Sequence, residues 1–419
     1  MYYYFNKNYI FDNNYFNFIL ENMQKSFNLK RFLTGTISFG AVHSSLICMV
    51  LIPFLKDSGM LPLQLSILLL IKKLVRLVSD SVFGMLFDKF GAKPVFLLGR
   101  LLKLCSYFFF LAKPSFLTFS IAVLLSGVSY SAVYGKVGTF IYNTLSANGC
   151  VEKYPRAMSI YYFVMDILLA SMSFIAGAVL KMYGYDVVIY VSIAINLITL
   201  CIIIKVVPNA KTSNLKKFVS KSFKDIWKTI FLLAKTKPQF LYLLMFYGVV
   251  NFLSWQFGSV ASMVLLDMGY TGIGVANIGA ICKISMAVGC LIPMFIKPKG
   301  IKVIDCCKIF VGFVAFALIT AITYNSYLMI VFMCGIIIAY TTIEVSIEKT
   351  LDKVSDPKIR GTAISLAMTF CTIFASSSIA LTGLIAQYAN HHIAYFSIIA
   401  FFFVFALFLT FKLRGIDKL

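Results

Sequence analysis

The chain has 419 residues, 60% of them hydrophobic and only 13% charged, with a mean hydropathy of +0.89. A soluble domain is about half apolar and about a quarter charged, so this composition excludes a soluble globular protein and marks a polytopic membrane protein. The formal net charge of +22 lies in the connections between apolar runs, so it reads as the positive-inside rule and not as a nucleic-acid surface.

Residues 1–31 are rich in Tyr, Phe and Asn and lack the short apolar core of a signal peptide. They read as a cytoplasmic tail, with Met23 as an alternative start. A spanning helix needs about 20 apolar residues. Six candidates fill the segment 32–206: 32–55, 62–87, 94–112, 116–142, 157–181 and 186–206. Six more fill the segment 238–411: 238–264, 272–296, 303–324, 327–347, 361–387 and 392–411. Between them, 207–237 is basic and amphipathic, with Phe218, Phe223, Ile226, Trp227 and Ile230 opposed by lysines, as in a helix lying on a membrane surface. Residues 412–419 form a short basic tail. The fold expected is all-α and integral to the membrane, with twelve transmembrane helices in two six-helix bundles.

The connections alternate in charge. One face carries Lys89, Lys93, Lys153, Arg156, the 207–237 segment, Lys297 to Lys302, Lys349 to Arg360 and Lys412 to Lys418. The other carries little beyond Lys56, Lys113 and Lys181. Both termini are therefore expected in the cytoplasm of a plasma (inner) membrane.

The two sets of six spans repeat weakly, as the halves of many transporters do. Gly84 and Gly289 stand 205 positions apart, Arg156 and Arg360 stand 204 apart, and Gly177 and Gly383 stand 206 apart.

Gly84-Met-Leu-Phe-Asp88-Lys89-Phe-Gly91-Ala-Lys93 lies between spans two and three. Glycines permit a tight turn, an aspartate suits a facing helix N-terminus, and lysines suit an anionic leaflet. This stretch resembles the signature loop of the major facilitator superfamily of secondary transporters. The lead-in from Arg76 and Asp80, and the stretch Asp356 to Ser365 around Arg360, resemble that family too. The second signature is degenerate, with Pro293 near the place of the aspartate. The arginine many proton-coupled members carry in span four is absent, and the antiporter motif of span five is reduced to Ala176-Gly177-Ala178. The resemblance implies two halves rocking about a central cavity, Asp88 capping the start of span eleven near Arg360, and a role for spans one, two, four, five, seven, eight, ten and eleven in lining the cavity.

Nothing in the sequence carries enzyme chemistry. Metal-ligand spacing, phosphate loops and nucleophile motifs are missing, no cofactor is implied, and ten cysteines fall mostly inside apolar runs. Ionisable residues at membrane depth carry the information, because each costs about 3 kcal/mol at a helix centre unless it faces a cavity or a partner. Lys72, Arg76, Asp80, Gly84 and Asp88 recur at i+4 and form one helix stripe. Arg76–Asp80 reads as a structural pair beside a gate. Lys72 and Lys73 fall near the midplane, as does Lys283 of span eight. Asp166, midway along span five, reads as a proton-coupling carboxylate or as the counter-ion of a lysine. His43, Asn251 and Gln256 are polar mid-span residues, with interhelical hydrogen bonding as the plainer role. Arg100, Lys103, Lys136, Asp305, Lys308, Glu344 and Glu348 read as snorkelling or gate-pairing groups, His391 and His392 as loop residues, and the many Phe and Tyr as lipid-facing. The expected function is secondary transport of a small anionic or zwitterionic solute, proton-coupled, by a monomer whose partners are substrate, H+ and lipid. The alternatives are multidrug/proton antiport and a transporter-like receptor or scaffold.

Overall fold

The computed structural model describes residues 45–133, 136–147, 154–207, 238–295, 302–354 and 360–414. The N-terminal tail, His43, residues 208–237 of the linker and the last five residues lie outside the described residues. All regular structure among the described residues is helical. In hydrocarbon no water satisfies backbone N–H and C=O groups, so each crossing segment must bond to itself.

The helices follow the expected order. Span one is described through Leu46–Met49 and Leu51–Asp57, and span two is Pro62–Phe90. Span three is Ala92–Leu111, and span four is Phe116–Val133 with Lys136–Ala147. Tyr154–Val206 holds spans five and six, divided at Gly184, whose φ of 79° and ψ of −176° break the helix. Span seven is Pro238–Asn251 and Gly258–Asp267, joined by a π-helical turn at Phe252–Gln256. Spans eight to twelve are Gly272–Phe295, Val303–Thr323, Ser326–Val354, Arg360–Tyr388 and His391–Lys412. Eight helices among the described residues are long and apolar enough to cross a membrane, one of them covering both span five and span six. Span two is not among them, because Lys72, Lys73, Arg76 and Asp80 interrupt its apolar run.

Local chemistry sets the helix ends. Pro62 opens span two, where a missing N–H costs nothing, and Gln64 Oε1 accepts from the Leu61 N–H at 3.1 Å. Gly91 has a φ of 84°, which L side chains adopt poorly, and turns the chain between spans two and three. Asn390 caps span twelve by accepting from the Ile393 N–H at 2.8 Å.

The internal repeat is visible in the packing. Span two packs on span four, and span three packs on spans four and six; span eight packs on span ten, and span nine packs on spans ten and twelve. The halves meet where span two packs on span eleven and span five packs on span eight. The repeated glycines sit at equivalent crossings. A methyl group at Gly177 would stand 3.3 Å from Asn277 Oδ1 of span eight, and one at Gly383 would stand 2.2 Å from Ser66 Oγ of span two. Gly84 faces Lys136 of span four, and Gly289 faces Ile337 and Ile338 of span ten. Small residues let helix backbones approach closely in a membrane.

The apolar core is divided unequally. One continuous core joins the second half to the low-charge end of the first half, through Phe54, Leu65, Phe110, Phe119 and Ala176. The basic end of the first half has a separate core of Phe83, Phe87, Phe96, Ile141, Met165 and Ile203. The halves are thus fused at the low-charge face. The expectation that aromatic residues face lipid needs correction: Phe96, Phe119, Phe240, Phe246, Phe252, Phe257 and Phe310 are fully buried between helices. Large apolar rings fill interhelical space as well as they meet lipid, and edge-to-face pairs such as Phe246–Phe310 add to the packing.

Replacing Gly383 with valine is expected to hold spans eleven and two apart at the low-charge face. Spin labels at Ser58 and Met268, on opposite halves, should report a longer mean distance in Gly383→Val than in the parent, while circular dichroism shows the helices intact. An unchanged distance would remove Gly383 from the closure.

Candidate functional site

Span two brings the signature residues to the basic face. Asp88 lies in the last turn of its helix, Lys89 is exposed with its Nζ 5.1 Å from the Phe90 ring centroid, and Lys93 is half-buried at the start of span three. Gly91 supplies the turn. The side chains of Asp88 and Arg360 lie outside the described residues, so the capping of span eleven expected from the resemblance stays an expectation. Further inward on the same helix, Arg76 Nε stands 3.7 Å from Asp80 Oδ2, and the Arg76 guanidinium lies 4.2 Å from the Tyr130 ring centroid of span four. Lys136 of span four donates to the Asp80 carbonyl at 3.1 Å. These contacts tie spans two and four into one unit.

Lys72 and Lys73 lie deeper. Both keep accessible surface although protein atoms crowd around them. Among the described residues, neither ammonium has a carboxylate partner or a hydrogen-bond acceptor. Lys72 points to the interior of the first half, within electrostatic reach of Lys103, Cys48 and Arg76. Lys73 faces the other half and acts on Cys371 of span eleven. The backbone brings this about: a methyl group at Gly127 would stand 2.9 Å from the Lys72 carbonyl, so only glycine lets span four press this close to span two.

Asp166 is 3% exposed and sits across the interface from Lys283 of span eight, whose charge acts on it. Lys283 Nζ also lies 3.3 Å from Met286 Sδ. Lys283 lines a cavity of about 140 Å³ between spans seven, eight and ten, walled by Leu253, Ile278, Met286, Met333 and Ile337. A drug-sized ligand needs about 300 Å³ or more, so this space takes one apolar group and not a whole solute.

Arg100 and Lys103 are not snorkelling groups. They are 1% and 5% exposed, inside the first half. Arg100 donates to Asn196 Oδ1 at 2.7 Å, and Asn196 Nδ2 returns a bond to the Arg100 carbonyl at 3.1 Å. Lys103 Nζ donates to Ser126 Oγ at 2.6 Å and lies 3.3 Å from Cys48 Sγ. The side chains leave the helix toward spans four and six, not along the span toward water. The face they occupy depends on helix rotation, which counting from the span end does not give.

In the second half, Asn251 precedes the π-helical turn of span seven. Its Oδ1 accepts from the Tyr340 hydroxyl at 2.9 Å, while Glu344 Oε1 lies 2.6 Å from the Tyr340 hydroxyl and 2.9 Å from that of Tyr247. Glu344 is therefore held by spans seven and ten and does not snorkel. The side chains of Gln256 and Trp255 lie outside the described residues.

The low-charge face is latched. Lys56 Nζ of span one lies 2.9 Å from Asp267 Oδ1 of span seven, and His391 Nδ1 holds the second oxygen, Asp267 Oδ2. Asp57 accepts from the Tyr185 hydroxyl at 2.6 Å beside it. His391 is not a loop residue: it is the first residue of span twelve and is 8% exposed. Asn390 starts the helix one residue earlier than hydropathy suggests and turns the imidazole inward.

Two sets of helices with mirrored contacts, charges within the long helices and a latched face are the architecture of a membrane carrier. Residues 10–373 match the Major Facilitator Superfamily, and the chain belongs to that family. It is accordingly a multi-pass membrane transporter of a small molecule and not an enzyme. The fold is similar to that of the nucleoside transporter NupG, with a TM-score of 0.69 and 17% identity over 93% of this chain and 99% of that one. A point mutant of NupG gives a TM-score of 0.70 and 16% identity over 92% and 99% of the two chains. The POT family transporter PepTSo gives 0.71 and 11% over 93% and 98%. Among curated proteins, none matches significantly.

The side chains of Lys56 and Asp267 are 41% and 28% exposed, so their pair contributes at most about 1 kcal/mol. Asp267→Asn removes the charge that both Lys56 and His391 meet. The ratio of closed to open carriers should fall up to about fivefold, the equivalent of about 1 kcal/mol. Labelling of a cysteine placed at Ser58 by a membrane-impermeant thiol reagent measures it, in a background that lacks the exposed native cysteines. Unchanged labelling would show that the latch does not hold the face shut.

Proposed function

We propose that this carrier moves a small anionic or zwitterionic organic solute by alternating access, coupled to protons through Asp166. One observation carries the reading. Two adjacent lysines, Lys72 and Lys73, stand at membrane depth with no acceptor among the described residues. An anion in the cavity offsets the cost of keeping them there, and a cation adds to it. Loop charge orients both termini toward the cytoplasm of a plasma (inner) membrane. The latched face is then the outer one, and the arrangement described is closed to the outside.

Asp166 and Lys283 supply the coupling. They come from opposite halves, so any motion that parts spans five and eight also parts the charges. A carboxylate that loses its lysine takes a proton more readily, which links protonation to the state of the interface. Asp88, through the start of span eleven, biases the opposite face, a role that rests on the family resemblance.

The second reading is efflux of amphipathic compounds. The apolar wall of the cavity beside Lys283 favours it. In proteoliposomes, Lys72→Gln, Lys73→Gln and Lys283→Gln separate the two. On the anion reading, at least one substitution lowers affinity by about tenfold, the equivalent of about 1.4 kcal/mol. Anionic analogues then compete and lipophilic cations do not. Normal binding and flux in all three variants, or flux of lipophilic cations, would transfer the case to efflux. No flux of any solute would favour a receptor or scaffold.

Asp166→Asn should abolish accumulation driven by a pH gradient while leaving downhill exchange measurable. Uphill transport at the parental rate would exclude Asp166 from the coupling.

A further inference from the structure

The interior of the first half holds more positive charge than its own acids can balance. Spans three and four contain no aspartate or glutamate, span one has only Asp57 and span six only Asp186, each at an exposed end. The remaining acids at membrane depth are Asp80, which lies 3.7 Å from Arg76 Nε, and Asp166, which feels the charge of Lys283 of the other half. Among the described residues, Lys72, Lys73 and Lys103 are left without a carboxylate. Lys103 is held by neutral groups, Ser126 Oγ at 2.6 Å and Cys48 Sγ at 3.3 Å, with the Tyr107 ring centroid 5.3 Å away.

Lys72 and Lys103 share one place, and Lys73 acts on Lys72 from the adjacent position. Lys72 and Lys103 act on each other and both act on Cys48 of span one. Gly127, next to Ser126, is pressed against the Lys72 backbone, which sets Lys103 and Lys72 at the same level. Lys73 follows Lys72 and turns to the interface with span eleven. Lys72 and Lys73 keep accessible surface, while Lys103 is only 5% exposed.

We infer that this cluster binds a compact dianion, the headgroup of a phosphomonoester or of a short dicarboxylate. Lys72 and Lys73 are its direct ligands, and Lys103 is a positioning residue whose buried charge raises the potential behind them. A single negative charge offsets one ammonium group; two charges within one headgroup can meet Lys72 and Lys73 together, with the Lys103 charge behind Lys72. The inference rests on the anion-carrier reading above and narrows it.

Binding to the purified full-length carrier in detergent tests it, with glycerol 3-phosphate, succinate, lactate and alanine as probes. The dianions should bind at least about tenfold more tightly than lactate or alanine, the equivalent of about 1.4 kcal/mol. Affinity for glycerol 3-phosphate should rise from pH 5 to pH 7, as the ester takes its second charge near pH 6, while a sulfate monoester, a monoanion throughout, gains nothing. In Lys103→Gln the preference for dianion over monoanion should collapse, and Lys103→Arg should restore it. Which of glycerol 3-phosphate and succinate binds more tightly identifies the headgroup. If lactate binds as tightly as both dianions and still depends on Lys72, the anion carrier stands and the dianion site falls. If no anion binds, both fall. A Lys103→Gln variant that keeps full dianion preference removes Lys103 from the site, and a variant too unstable to purify leaves the decision to the wild-type selectivity and pH profile.

Discussion

An ammonium group at the middle of a bilayer has to be hydrated, paired or offered to an anion, since hydrocarbon accommodates none of its charge. Lys72 and Lys73 impose that condition on span two. The helix cannot turn this stripe to lipid, so it lies between span four of its own half and span eleven of the other. Glycine at position 127 lets span four close over the backbone at that level, and Ser126 beside it takes up the Lys103 ammonium. The position of span two thereby sets the neighbours of Arg76 and the line along which the two halves meet.

The halves divide the work. The first carries the positive charge, distributed over spans two and three, with Arg100 bound to Asn196 of span six. The second carries an apolar cavity and a polar knot of Asn251, Tyr247, Tyr340 and Glu344 that joins spans seven and ten where span seven is π-helical. A π-helical turn disturbs the regular backbone ladder and marks a place where a helix can bend. An anionic headgroup against the first half and an apolar remainder against the second would use both.

Alternating access needs interfaces that open at little cost. The latch of Lys56, Asp267 and His391 is partly exposed and so is weakly held, as a gate must be. The interhelical core beneath it is not weak: Phe54 packs edge to face on both Phe110 and Phe119 within one half. The crossings at Gly177 and Gly383 hold the halves together by close backbone approach, without large interlocking side chains.

The sequence alone determined the class of architecture. Apolar runs of bilayer length can only be helices, loop charge divides their ends into two faces, and the glycines at 84, 177, 289 and 383 mark a duplication, since each of these signals is local or periodic. The signature at 84–93 pointed to the family before any packing was known. Span two, with Lys72, Lys73 and Arg76, was legible as a site because charge at membrane depth is rare whatever surrounds it. Only the tertiary structure decided which charges share a room. Lys103 and Arg100 looked like snorkelling groups because depth can be counted along a helix, whereas rotation about its axis is set by the neighbours it packs against. His391 looked like a loop residue because hydropathy does not see a cap formed by Asn390. The electrostatic reach of Lys283 to Asp166 and the pairing of Lys56 with Asp267 join residues more than a hundred positions apart, and no local pattern records what is made by bringing two halves together.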